Sequence, residues 1–90
     1  MEENTLEGLY DLLQRIKDHM GFDEEVKLVV KSYKTRIAFV YLNKNTIYLN
    51  KNILGNEKLL REALWHELMH LKLKTRWHTQ EFFEVPEFEF

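Results

Sequence analysis

The residues with the clearest chemical potential are the run His66-Glu67-Leu68-Met69-His70. Two imidazoles four residues apart in a helix lie one turn apart on the same face. Both can therefore reach one ion at about 2.0–2.1 Å. Glu67, beside the first histidine, is placed to take a proton from a water on that ion. A bound divalent metal brings the pKa of water from about 15.7 toward about 7, so a carboxylate is a sufficient base. The H-E-x-x-H pattern thus predicts a zinc site built for hydrolysis, with His66 and His70 as ligands and Glu67 as general base.

A catalytic zinc takes a third protein ligand and keeps a fourth position open. The candidate is His78, eight residues beyond His70, where the chain turns after the helix. Glu81 and Glu84 are its rivals on the following segment. His19, in the N-terminal segment, reads as a surface residue. The chain has no cysteine, so disulfides and thiolate ligands are excluded and any metal must use His, Asp or Glu. Arg76, Tyr41 and Tyr48 are candidate donors to the oxyanion that forms when a peptide carbonyl is attacked.

Several elements must position these groups. Leu6, Leu9, Leu13, Ile16 and Met20 recur at helical spacing, predicting a helix from Thr5 to about His19. Asn4 or Thr5 can cap its start, and Gly21 is its natural stop. Three runs rich in β-branched and aromatic residues follow: 26–31, 36–42 and 46–50. The polar links Ser32–Thr35 and Asn43–Asn45 suit hairpins, predicting a small, mostly antiparallel three-stranded sheet. An exposed edge of the strand Thr46–Asn50 would accept a peptide by strand addition. The helix carrying the histidines is expected from Asn56 to about Leu73, burying Leu59, Leu60, Ala63, Leu64, Leu68 and Leu71. Trp65 and Met69 read as core or cleft wall. A short helix from Thr79 ends before Pro86, and Val85 to Phe90 reads as extended. The expectation is an α+β fold with one domain over residues 1–90.

Charge is unevenly spread. Residues 1–25 carry −6, residues 26–80 carry +8 and residues 81–90 carry −4. The basic side chains of the middle are interleaved along strands and helix rather than clustered, which argues for a solvated surface and against a nucleic-acid partner. No apolar run approaches the roughly 18 residues of a membrane span, and the acidic start lacks a signal-peptide pattern. A soluble, cytoplasmic protein without membrane insertion is expected.

From residue 46 onward the chain resembles the minigluzincins. The resemblance lies in Thr46–Asn50, in Leu59 to Lys72 around the H-E-x-x-H, and in His78-Thr79-Gln80-Glu81-Phe82-Phe83. These are minimal zincin-like catalytic domains, similar to the catalytic cores of membrane peptidases such as the CAAX prenyl proteases. The resemblance implies zinc, Glu67 as base, a histidine third ligand and cleavage of a peptide or protein substrate. Most gluzincins use glutamate as third ligand, and related small domains often set the third histidine closer to the second, so Glu81 and Glu84 stay open beside His78. It also implies latency, with the C-terminal segment closing the site of its own molecule or of a neighbour in a homodimer. Residues 81–90 suit an autoinhibitory tail, since four glutamates alternate there with Phe82, Phe83, Phe88 and Phe90. The competing reading is a non-catalytic zincin-fold module, because 90 residues leave little wall for a deep cleft.

Overall fold

The computed structural model describes residues 6–78 and 80–83. The chain begins with α1, Leu6–Met20, whose apolar stripe Leu9, Leu13, Ile16 and Met20 is buried. Beyond Met20 the chain turns at Gly21, whose φ of 75° lies in the left-handed region that glycine adopts without penalty. The amide of Phe22 donates to the Lys17 carbonyl at 3.0 Å and that of Gly21 to Asp18 at 3.4 Å. This pair of bonds closes the orphan carbonyls of the last turn, so the glycine stop expected from the sequence is present.

Three strands follow: β1, Lys27–Lys31; β2, Ala38–Tyr41; and β3, Thr46–Asn50. Their spatial order is β1-β3-β2. β2 and β3 form the expected hairpin, with Tyr41 opposite Thr46 and Asn45 at a left-handed φ of 46° in the turn. The expected β1–β2 hairpin does not form. β1 instead pairs with β3 in parallel, Lys27 opposite Thr46 through Lys31 opposite Asn50. The sheet is therefore mixed rather than mostly antiparallel. The link after β1 crosses the end of β3, where the Asn50 side-chain amide donates to the carbonyls of Tyr33 at 2.9 Å and Arg36 at 2.7 Å. Those bonds satisfy backbone groups that a two-strand hairpin would have paired with itself.

Thr46–Asn50 is thus the central strand, with both edges occupied. It cannot receive a peptide by strand addition. Among the described residues the free edges belong to β1 and β2, and β2 is the strand that lies against the second helix.

That helix, α2, spans Glu57–Leu73. Asn56 caps it, its side-chain oxygen accepting the Leu59 amide at 3.1 Å. The expected residues Leu60, Ala63, Leu64, Leu68 and Leu71 are buried, and so are Trp65, Glu67, Met69 and His70. From Ala63 to Leu71 the helix is covered nearly all round, with His66 half-buried. A helix enclosed to that degree is a core element and not a surface one. A 3₁₀ turn at Gln80–Phe83 takes the place of the expected short α-helix and packs back onto α2. The expected extended tail and the Asn4 or Thr5 cap lie outside the described residues. The α+β class is as expected: two helices on one face of a three-stranded sheet.

Candidate metal centre

The second half of α2 supplies two of the site's imidazoles, and the end of the helix aims one of them. Lys74 adopts a left-handed φ of 53°, and its amide donates to the His70 carbonyl. The Thr75 amide donates to the same carbonyl at 3.3 Å. This turn brings the Thr75 carbonyl to 2.7 Å from His70 Nδ1. A carbonyl oxygen only accepts, so Nδ1 carries the proton and Nε2 keeps its lone pair. A hydrogen bond of this kind fixes the tautomer and orientation of a metal-binding histidine.

Past Thr75 the chain folds back. The Trp77 amide donates to Thr75 Oγ1 at 3.0 Å, a tight local turn that reverses direction toward α2. His78 then meets His66, with the two Nε2 atoms 3.0 Å apart. One nitrogen from each of His66, His70 and His78 lies within 4.8 Å of the others. A tetrahedral ion with bonds of about 2.0–2.1 Å separates its ligand atoms by roughly 3.3 Å. The donor set therefore fits one ion after small side-chain adjustments, and imidazole nitrogens suit divalent transition metals.

The electrostatics agree with that use. Burial lowers the pKa of His66, and the neighbouring His70 and His78 lower it further. Burial also lowers that of His70, against the opposing hydrogen bond to Thr75, with His78 and Arg76 adding to the depression. Both rings are thus held neutral near pH 7, as a metal requires. Glu67 is buried and its carboxyl is pushed up to about 7 by desolvation. A carboxylate with that affinity for protons is suited to accept one near neutral pH.

The other candidates divide. The side chain of Glu81 and the whole of Glu84 lie outside the described residues. Tyr41 and Tyr48 are engaged with Phe39 in an aromatic cluster on the sheet, Phe39 and Tyr48 stacked at 4.8 Å. Arg76 is exposed, and its charge reaches His70. His19 is exposed and stands 6.1 Å from the Trp65 ring.

One residue was not singled out by sequence reasoning. Phe82, grouped there with the acidic tail, is buried, its ring centroid 5.2, 4.5 and 5.1 Å from those of His66, His70 and His78. The signal available was a phenylalanine four residues beyond His78, indistinguishable in type from Phe83, Phe88 and Phe90.

A profile of the SprT-like family matches residues 9–87. Among curated proteins, aq_aa15 of Aquifex aeolicus is 35% identical over 68 residues, covering 73% of this chain and 62% of its own length. MJ1213 of Methanocaldococcus jannaschii is 43% identical over 61 residues, covering 66% of this chain and 54% of its own. The chain therefore spans just over half to about three fifths of these relatives. Among solved structures, the metallopeptidase zymogen of Pyrococcus abyssi abylysin aligns with a TM-score of 0.73 and 35% identity, over 84% of this chain and 73% of that one. The zymogen of Methanocaldococcus jannaschii jannalysin aligns with a TM-score of 0.73 and 29% identity, over 84% and 75%. The minigluzincin resemblance is borne out by these two metallopeptidases, and the fold is zincin-like.

Proposed function

This chain belongs to the SprT-like family, and from that premise we propose that it is a zinc-dependent metalloendopeptidase. His66, His70 and His78 hold the ion, and Glu67 is the general base. The observation that carries this reading is the meeting of three imidazole nitrogens within 4.8 Å, two of them from the helix that also buries Glu67 and one from the segment that follows it. The likeness to two metallopeptidase zymogens supports it.

A zinc ion bound there supplies Lewis acidity toward water and toward a peptide carbonyl. The residues do the rest. His70 presents Nε2 because Nδ1 is committed to the Thr75 carbonyl. The Glu67 carboxylate accepts the proton of the attacking water and passes it to the departing amine nitrogen. Its surroundings exclude bulk water, which keeps that proton from being lost on the way. The substrate is an extended peptide, laid along the free edge of β2 next to α2. Arg76 is the favoured oxyanion donor, being the candidate whose charge is felt at the site.

The zymogen state of both structural neighbours supports a latent form. In this reading the chain after Phe83 covers the cleft of its own molecule or of a second copy. The cytoplasm is the proposed location; no helix among the described residues is long and apolar enough to cross a membrane.

The deciding experiment measures bound metal and peptide cleavage for the wild type, Glu67→Ala and a chain truncated after Val85. Cleavage that is lost in Glu67→Ala with zinc retained, and raised by truncation, is the expected result. Zinc without cleavage in the truncated chain would instead indicate a non-catalytic module. A chain purified without stoichiometric metal would refute the zinc reading.

A further inference from the structure

We infer that Phe82 is a positioning residue of the metal centre: its ring closes one face of the imidazole triangle, so that the open coordination position lies on the opposite face. This rests on the reading of His66, His70 and His78 as ligands.

The three imidazole centroids lie 5.0, 4.8 and 5.0 Å apart. Phe82 stands 5.2, 4.5 and 5.1 Å from the same three points. Six nearly equal distances place four rings at the corners of a near-regular tetrahedron. Phe82 is therefore astride the triad and not beside one member of it. By the same distances its centroid stands about 4 Å above the plane of the imidazole centroids. That is the ordinary contact distance of carbon groups, about 3.5–4.0 Å, and it leaves no room for a water between them.

The chemistry of the ring matters as well as its volume. A phenyl group has no lone pair to offer a metal and no proton to give an imidazole nitrogen. It stands edge-to-face to His66 at 63° and to His78 at 78°, an arrangement that aromatic groups favour, and is tilted at 56° to His70. It is 2% exposed, so the ring itself is shut off from solvent where it stands against the triad. The 3₁₀ turn Gln80–Phe83 anchors it against α2 directly after His78. One short segment thus delivers both the proposed third ligand and the apolar wall behind it.

The test is a cobalt(II) titration of the metal-free full chain, because four-coordinate cobalt absorbs visible light more strongly than cobalt with added waters. Wild type should take up one equivalent with the intense four-coordinate bands. Phe82→Ala should bind cobalt about 10–100-fold more weakly, with weaker bands as water enters the vacated side. Phe82→Leu, which restores apolar bulk, should recover the wild-type band shape. A purely structural role would lower the Tm of both variants and leave the bands unchanged. A folded Phe82→Ala protein with affinity within twofold of wild type and identical bands would overturn the inference. Where Phe82→Ala does not fold, Phe82→Val replaces it under the same two criteria. If wild type binds no cobalt, or His78→Ala binds as wild type does, the ligand reading fails and this inference falls with it. That failure is recognisable without any Phe82 variant.

Discussion

The two helices of this protein end in the same way and for different purposes. Each runs into a residue with left-handed φ, Gly21 after α1 and Lys74 after α2. Each last turn is closed by amides reaching back to carbonyls five residues earlier, Phe22 to Lys17 and Thr75 to His70. At α1 the device does no more than stop a helix and bury Phe22. At α2 the same geometry sets the Thr75 carbonyl on His70 Nδ1 and sends the chain back toward His66. Glycine suffices where only a turn is needed. At α2 a lysine holds a conformation that ordinarily costs an L-residue about 1–2 kcal/mol. Its amide bonds the His70 carbonyl there, and its side chain forms an exposed ion pair with Glu24 at 3.2 Å. A common backbone motif becomes part of a candidate site when the residue it caps is one proposed to bind metal.

The contrast can be broken most severely at the histidines. His70→Ala should weaken zinc or cobalt binding on the order of 10³-fold, since one of the three proposed ligands and its oriented nitrogen are gone. His19→Ala, at the corresponding end of α1, should leave metal affinity unchanged. Competition with a chromophoric chelator measures both, and equal affinities in the two variants would erase the distinction between the helix ends.

The next effect separates the helices by pH. Glu67 in the folded, metal-free chain has its pKa raised to about 7 from 4.5. The unfolded carboxyl ionises first, so ionisation opposes folding and stability falls as pH rises from about 4.5 through about 7. Glu67→Gln removes this penalty. The metal-free variant should be more stable than metal-free wild type by roughly 3 kcal/mol above pH 8, and the two should converge below pH 4. His66 and His70, with lowered pKa, act in the opposite sense and destabilise the fold as pH falls below about 6.5. They are present in both proteins and largely cancel from the difference. Urea midpoints across this range provide the measurement, and parallel curves would mean that Glu67 is not desolvated.

The helix ends themselves supply the smaller effects. Gly21→Ala meets no atom within 4 Å of the added Cβ. It should therefore cost only the left-handed penalty, about 1–2 kcal/mol, without changing metal affinity. Lys74→Gly should do the reverse, stabilising the chain by less than about 1 kcal/mol once the exposed Glu24 pair is lost. Thermal melts of both variants decide the matter, and a destabilising Lys74→Gly would show that the lysine side chain contributes more than its backbone costs.

Much of this was legible in the residues alone. Both helices, the β2–β3 hairpin and the Gly21 stop follow from local period and punctuation, which need no knowledge of what packs where. The pairing of His66 with His70 follows too, because one helical turn separates them whatever the rest of the chain does. The parallel partnership of β1 with β3 was not legible, since the link after β1 looks like a hairpin turn and its carbonyls are satisfied by Asn50, a residue further along the chain. The end of α2 near Leu73 was expected, but its left-handed cap was not, because lysine does not announce such a turn. Phe82 looked like one phenylalanine of four until the fold set it against three imidazoles. The sequence by itself determined the pair of imidazoles that one helix can bring together and, through them, the kind of chemistry proposed. Only the tertiary structure decided where His78 and Phe82 meet them, because groups on different elements are brought within reach by packing and not by spacing.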